Sequence, residues 1–258
     1  MFVEYGVDVV IPTFRRAEAL ARCLAALDRQ TVAPASIQVV DDSETDRGPA
    51  YTRNLGWRRG KAPLVAFTDD DCVPSTNWVE SIQRRFQANS IGGVEGSVTI
   101  VDMDGELSDM DPHPKDRWNR FKTANMAFRR DVLEAVDGFD ERYFIHREDT
   151  DLGWRVINAG YPIVWDPECI VHHPDRGGLP RIAIKSEQLL YRCDSMKYIE
   201  VASYSISKAS IRDGTWKSLR RGMRETQSDD VAALTMYESV SLWFRAFAQA
   251  MTRKIRYG

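Results

Sequence analysis

The chain is poor in cysteine. Four are scattered along 258 residues, Cys23, Cys72, Cys169 and Cys193, and no two form a CxxC pair. This spacing excludes a zinc knuckle and a disulfide framework, and it fits a reducing compartment. A long apolar run is also missing, since no stretch approaches the ~18–20 residues of a spanning helix. The first residues, MFVEYGVDVVIPTF, have neither a basic start nor a long apolar centre. No leader is expected from them, and a cytoplasmic location is the default. Nor is there an overall excess of basic charge. The net charge is −3, so the chain as a whole lacks the footprint of a nucleic-acid-binding domain. Internal repeats and low-complexity segments are absent too.

What remains is a composition of 43% hydrophobic and 28% charged residues, that of a folded globular chain. The charge is uneven. Residues 1–175 hold 20 lysines and arginines against 30 acids, and residues 176–258 hold 15 against 8. The expected organisation is a catalytic or binding domain over 1–175 and a helical, basic extension over 176–258.

The first domain repeats one unit: a short apolar strand, a polar loop, then a helix. Residues 7–11 form a β-branched run ended by Pro12, and Leu20, Leu24 and Leu27 give residues 16–29 an amphipathic helix. Residues 37–40 are a second strand, 50–60 a helix, 64–67 a third strand and 77–88 a helix. The pattern predicts parallel strands with crossover helices, an α/β sandwich of three layers around a mostly parallel sheet. Further strands are expected at 94–101, 163–165 and 169–172. Short helices are expected at 131–136 and 148–159, and a polar loop over 102–120.

Acids collect where these strands end. Asp41-Asp42 follow the second strand and Asp69-Asp70-Asp71 the third. Open α/β sheets bind ligands outside the carboxyl ends of their strands. Three adjacent carboxylates repel one another, and a hard divalent ion with phosphate oxygens would relieve that repulsion. A solvated loop is the plainer reading. His172-His173 close a β-branched run, and their side chains point to opposite faces, so at most one reaches a given ion. Glu148, Asp149 and Asp151 crowd the first turn of a helix, where the macrodipole favours acids. Asp149 and Asp151 cannot share a face, so one can meet a cleft while Arg155 ties down the other. Arg53 reads either as a helix-surface cation or as a partner for nucleotide phosphates or base.

The ordered pieces VVIPTFRR (9–16), VVDDSETDRG (39–48), TRNLG (52–56), FTDDD (67–71), TANMAFRRDVLEAVDGFDERYF (123–144), EDTDLGWRVINAG (148–160) and VHH (171–173) resemble the family 2 glycosyltransferases, inverting enzymes of GT-A fold. Residues 175–258 fall outside the resemblance. It implies a nucleotide-sugar donor, with uridine diphosphate as the commonest nucleotide. Pro12, Thr13, Phe14, Arg15, Asp41, Asp42 and Arg53 would hold base, ribose or phosphates. Asp69–Asp71 correspond to the DxD element, with Asp69 and Asp70 toward the nucleotide and Asp71 on a Mn²⁺ or Mg²⁺ ion. His172 would complete the metal site, with His173 as the alternative. Asp149 would be the base, beside Glu148. Thr123, Ala124, Asn125, Met126 and Asp151 would line the sugar and acceptor pocket. The acceptor would be a glycan, a lipid-linked or another hydroxyl, with a nucleic acid not excluded.

Two other readings compete. A sugar nucleotidyltransferase would want a Gly-rich loop after the first strand, and IPTFRRAEAL has no glycine. A non-catalytic nucleotide-sugar-binding module would not need the Asp triplet, the Glu-Asp pair and the histidine together. In the extension, Val240, Phe244, Phe247 and Met251 form a helical stripe beside a basic end. Packing on the main domain, or on a second copy of the chain, is the plain reading. Contact with an anionic membrane surface is the alternative.

Overall fold

A computed structural model describes residues 4–87, 90–101, 107–108, 121–141, 143 and 148–174. All lie in the first of two compact units, Met1–Gly178; the second is Leu179–Gly258. Cys193 and the stripe and basic end expected in the extension therefore lie outside the described residues, as do most of residues 102–120.

β1 (Val7–Thr13), β2 (Ser36–Asp41) and β3 (Leu64–Phe67) pair in parallel, with β1 in the middle. α1 (Ala17–Asp28) and α2 (Pro49–Arg59) are their crossovers, and α3 (Trp78–Arg85) follows a two-residue strand, β4 (Val73–Pro74). The second half supplies β5 (Gly93–Val101), β6 (Leu107–Ser108), β7 (Met126–Arg129) and β8 (Ile163–Pro174), with α4 (Arg130–Ala135) and α5 (Glu148–Asn158). The order across the sheet is β2-β1-β3-β7-β5-β8-β4, with β6 beside β5. β1, β2, β3, β5 and β8 run one way, and the short strands β4, β6 and β7 run against them.

The sheet is thus parallel where the acid-bearing strands lie and mixed beyond it. β7, read from the sequence only as part of a pocket, enters antiparallel between β3 and β5. Four residues carry too little periodicity to declare a strand, so docking between two edges decides it. The two strands expected at 163–165 and 169–172 join into one. Its register on β5 steps from Gly96–Asp166 to Ser97–Ile170, so residues 167–169 bulge. Pro167 has no N–H to give the ladder there.

β1 is buried on both faces, as a central parallel strand must be. Val7, Val9 and Ile11 share a core with Cys23 and Leu27 of α1 and with Trp78, Val79, Ile82 and Phe86. On α2 half of the buried residues are polar: Thr52, Arg53 and Asn54 go inward beside Ala50, Gly56 and Trp57. Gly56 lets α2 approach β1, because a Cβ there would sit 2.4 Å from Val10 Cγ1. At the sheet's far end, buried Asp8 accepts from Arg130 Nη2 at 2.8 Å, from Ser36 Oγ at 2.5 Å and from the Ala62 N–H at 2.8 Å. That tie stabilises the end opposite the site.

Candidate active site

β1, β2 and β3 end together and deliver the first part of the site. Thr13 and Asp41, the last residues of β1 and β2, are register partners. The loops beyond are stitched to each other. The Asp42 N–H donates to the Thr13 carbonyl at 3.0 Å, and the Arg15 N–H to Ser43 Oγ at 3.1 Å. Arg15 has φ 54°, in the left-handed region that disfavours a side chain. The bond to Ser43 holds it there. Its exposed guanidinium lies 4.9 Å from the Phe14 ring, and Pro12 is half-buried beneath.

The two acids after β2 have different tasks. Asp41 is exposed, and its Oδ1 accepts from the Ser43 N–H at 2.9 Å and from the Ser43 hydroxyl. Those bonds hold its carboxyl below the usual range. Asp42 is buried; it accepts from the Gly48 N–H at 2.6 Å and the Thr45 hydroxyl at 2.5 Å. It shapes the loop 42–48.

The triple Asp splits in the same way. Asp70 is fully buried, accepts from Thr13 Oγ1 at 2.8 Å and pairs with Arg16 Nη2 at 3.0 Å. It ties the end of β1 to the turn after β3. Asp69 and Asp71 lie on either side of it. Arg16, which the sequence reading did not single out, also reaches Asp71 Oδ2 at 3.2 Å. Its only signal was a basic residue five positions after the apolar run.

Asp69, Asp71, Cys72 and His173 place one ligand atom each within 4.8 Å of one another. His173 Nδ1 is 2.7 Å from the Pro174 carbonyl, so that nitrogen carries the proton and donates. Nε2 is then the ligand atom, and it lies 3.9 Å from Asp71 Oδ1. Two carboxylates and an oriented imidazole are a ligand set for a divalent cation. Cys72 belongs to the core, and burial pushes its thiol well above the ordinary value. The expected preference between the histidines is reversed. His172 is paired with Thr99 in the ladder, and its Nδ1 is 2.7 Å from Thr99 Oγ1. Alternation along β8 then sends His173 to the Asp side.

Arg53 is only 4% exposed. Its Nη2 donates to Asp69 Oδ1 at 2.8 Å and its Nη1 to Glu148 Oε1 at 2.7 Å. It joins the acids after β3 to the first turn of α5, where the sequence reading placed it against the nucleotide. Glu148 is buried. Burial and then Asp149 push its carboxyl up, against the pull of Arg53. Asp149 is half-buried, and its Oδ1 accepts from the Thr150 N–H at 2.6 Å. Asp151 is buried and bound to Arg155 Nε at 2.8 Å; Arg155 also donates to the carbonyls of Val136 and Gly138. Asp151 therefore helps to anchor α5 through Arg155.

Thr123, Ala124 and Asn125 form a single buried 3-10 turn leading into Met126, also buried. Asn125 is a hub. Its Oδ1 accepts from Trp78 Nε1 at 2.8 Å, and its Nδ2 donates to the carbonyls of Ser97 and Cys169, both at 2.8 Å. It ties α3, β5 and β8 together beside the segment expected to line the pocket. Asn125→Ala is expected to lower unfolding stability by about 2–3 kcal/mol, since three buried groups lose their partner. A urea midpoint that moves by less than a quarter of that, with unchanged slope, would contradict the hub.

Residues 44–145 match the family model described as Glycosyl transferase family 2. The glycosyltransferase AglE of Haloferax volcanii is 25% identical over 66% of this chain and 67% of its own length. The pre-mycofactocin glycosyltransferase of Mycobacterium tuberculosis is 29% identical over 66% of this chain, but over only 43% of its own length. Among solved structures, S. aureus TarS superposes with a TM-score of 0.57 at 15% identity, covering 96% of this chain and 53% of TarS, a likeness of fold. Among the described residues no helix is long and apolar enough to cross a membrane. The family match, which takes in β3 and Asp69–Asp71, the relatives across about two thirds of the chain and the likeness of fold together support a family 2 glycosyltransferase.

Proposed function

We propose that the protein transfers a sugar from a nucleoside-diphosphate donor, with uridine diphosphate favoured, to a hydroxyl of a glycan or lipid-linked acceptor, inverting the anomeric centre. The carrying observation is the cluster of Asp69, Asp71 and His173 at the strand ends, joined through Arg53 to the acids of α5. Asp41, ionised and exposed beside Thr13, is placed to accept an N–H from the base. Asp69 faces the ribose and diphosphate. Asp69, Asp71 and His173 would hold a Mn²⁺ or Mg²⁺ ion, which supplies Lewis-acid stabilisation of the leaving diphosphate. The acceptor oxygen bonds to the anomeric carbon as the carbon–diphosphate bond breaks on the opposite face, and Asp149 takes the acceptor's proton.

The test is a screen of nucleoside diphosphates by thermal unfolding, with and without Mn²⁺. Uridine diphosphate at a hundred times its dissociation constant is expected to add about 2.7 kcal/mol of stability with the ion present. Chelation with EDTA should remove most of that gain. A midpoint that no nucleotide moves under either condition defeats the donor assignment. Proton NMR of the transferred sugar decides inversion separately, because a retained anomer excludes single displacement.

A further inference from the structure

Arg53 and Asn54 are consecutive residues of α2, yet together they reach three separate segments. Asn54 accepts from the Phe139 N–H and donates to the Phe139 carbonyl, both at 2.9 Å. The Phe139 ring packs edge-on against Phe67 at 5.2 Å and lies 5.8 Å from the Arg53 guanidinium. Arg53 itself spans to Asp69 and to Glu148, 16 and 95 residues away in the chain. Burial opposes its charge, but Asp69, Glu148 and Asp149 outweigh burial and keep it charged. Both outer nitrogens are committed and the side chain is almost wholly buried, so the guanidinium turns little surface to a phosphate or a base; its Nε, also buried, has no partner among the described residues.

We propose that Arg53 is a positioning residue and not a nucleotide ligand: it fixes the head of α5, with Glu148 and Asp149, relative to the donor-side Asp69. This rests on the donor and acceptor assignments made above. A guanidinium is a rigid planar fork, so two of its nitrogens set both the distance and the angle between two carboxylates. Glu148 precedes Asp149 in the same turn, so a displaced Glu148 displaces the base. Misplacement by ~1 Å costs up to about 100-fold in rate. Arg53 also matters to charge. Glu148 faces Arg53 from α2 and Asp149 from its own turn, with Asp69 on the far side of Arg53. Without the guanidinium, only a backbone hydrogen bond still opposes burial and Asp149 at Glu148.

The experiment uses the full chain and its variants Arg53→Gln, Arg53→Lys and the double variant Arg53→Gln/Glu148→Gln. Three readouts are taken: binding of uridine diphosphate with Mn²⁺ by calorimetry, turnover of saturating UDP-glucose, and titration of the Glu148 carboxyl by carbon-13 NMR. For Arg53→Gln we expect nucleotide affinity within about threefold of the parent and turnover reduced about 30-fold. The Glu148 titration should move to higher pH. Arg53→Lys should not rescue turnover, because one ammonium cannot reproduce the fork. A tenfold loss of nucleotide affinity with saturated turnover retained would make Arg53 a nucleotide ligand. An unmoved Glu148 titration would overturn the proposal as well. Should the single variants fail to fold, the double variant replaces the ion pair by an amide pair; reduced turnover with normal nucleotide binding supports the proposal, and full turnover overturns it. If the parent neither binds uridine diphosphate nor turns over UDP-glucose, the donor assignment is at fault, and the Glu148 titration, which needs no substrate, still tests the hold of Arg53 on Glu148.

Discussion

Asp149→Asn is expected to reduce transfer about 1,000-fold while leaving nucleotide binding unchanged. Three acids crowd the first turn of α5, and their surroundings separate them. Glu148 and Asp151 are buried, and each is bound to an arginine, Arg53 and Arg155. Asp149 is the half-buried member, and the variant tests its proposed part as the base for the acceptor hydroxyl. The Thr150 N–H at 2.6 Å holds one oxygen in place without burying the group. Replacing the carboxylate by an amide keeps the shape and removes the proton acceptor. An amide has no basic site, so the rate then rests on proximity alone. The measurement is the turnover number with saturating donor and acceptor, beside the dissociation constant of uridine diphosphate. Activity above roughly a tenth of the parent's would place the base elsewhere. Asp151→Asn is the control. It removes the charge bound to Arg155, so its effect should fall on the unfolding midpoint rather than on the turnover number.

The run of strand and helix in the first half, and its polar strand ends, was legible in the sequence; the order across the sheet was not. Parallel strands with crossover helices bring all their carboxyl ends to one edge, whatever the rest of the chain does. Thus Asp41, the Asp triplet and Thr13 could be placed together from hydrophobic runs alone. The phase within each adjacent pair was not legible. A period of two says that neighbours diverge, but not which one faces the ligand. Asp42 goes to the Gly48 N–H and Asp70 to Thr13, while His172 goes to Thr99. Each choice depends on a residue supplied by another part of the fold. α2 hid its role for a related reason. Its inward face carries Thr52, Arg53 and Asn54, so no apolar stripe marks it. Arg53 looks like a surface cation until Glu148, 95 residues on, arrives beside it. Asn125 is the same case: nothing in TANMAF announces that one amide will satisfy Trp78, Ser97 and Cys169 at once.

The paired histidines allow the sharpest separation of roles. His173→Ala is expected to weaken Mn²⁺ binding by at least about 100-fold, and His172→Ala by little. Asp71→Asn should do at least as much as His173→Ala, since it removes a charge as well as a ligand. The reason is the direction of each ring. His173 commits its Nδ1 proton to the Pro174 carbonyl, which points the lone pair of Nε2 toward Asp71. His172 spends Nδ1 on Thr99 across the β5–β8 ladder. An alanine there loses that hydrogen bond and leaves the ligand set intact. The effect of His172→Ala should therefore appear as a modest stability loss of about 1 kcal/mol. Electron paramagnetic resonance of free Mn²⁺, titrated with protein and uridine diphosphate, gives the dissociation constants directly. A large loss of Mn²⁺ affinity in His172→Ala with none in His173→Ala would mean that the ladder partner of Thr99 turns to the acids when nucleotide binds. That would require β8 to shift by one residue against β5, because a shift of one reverses every side chain on the strand.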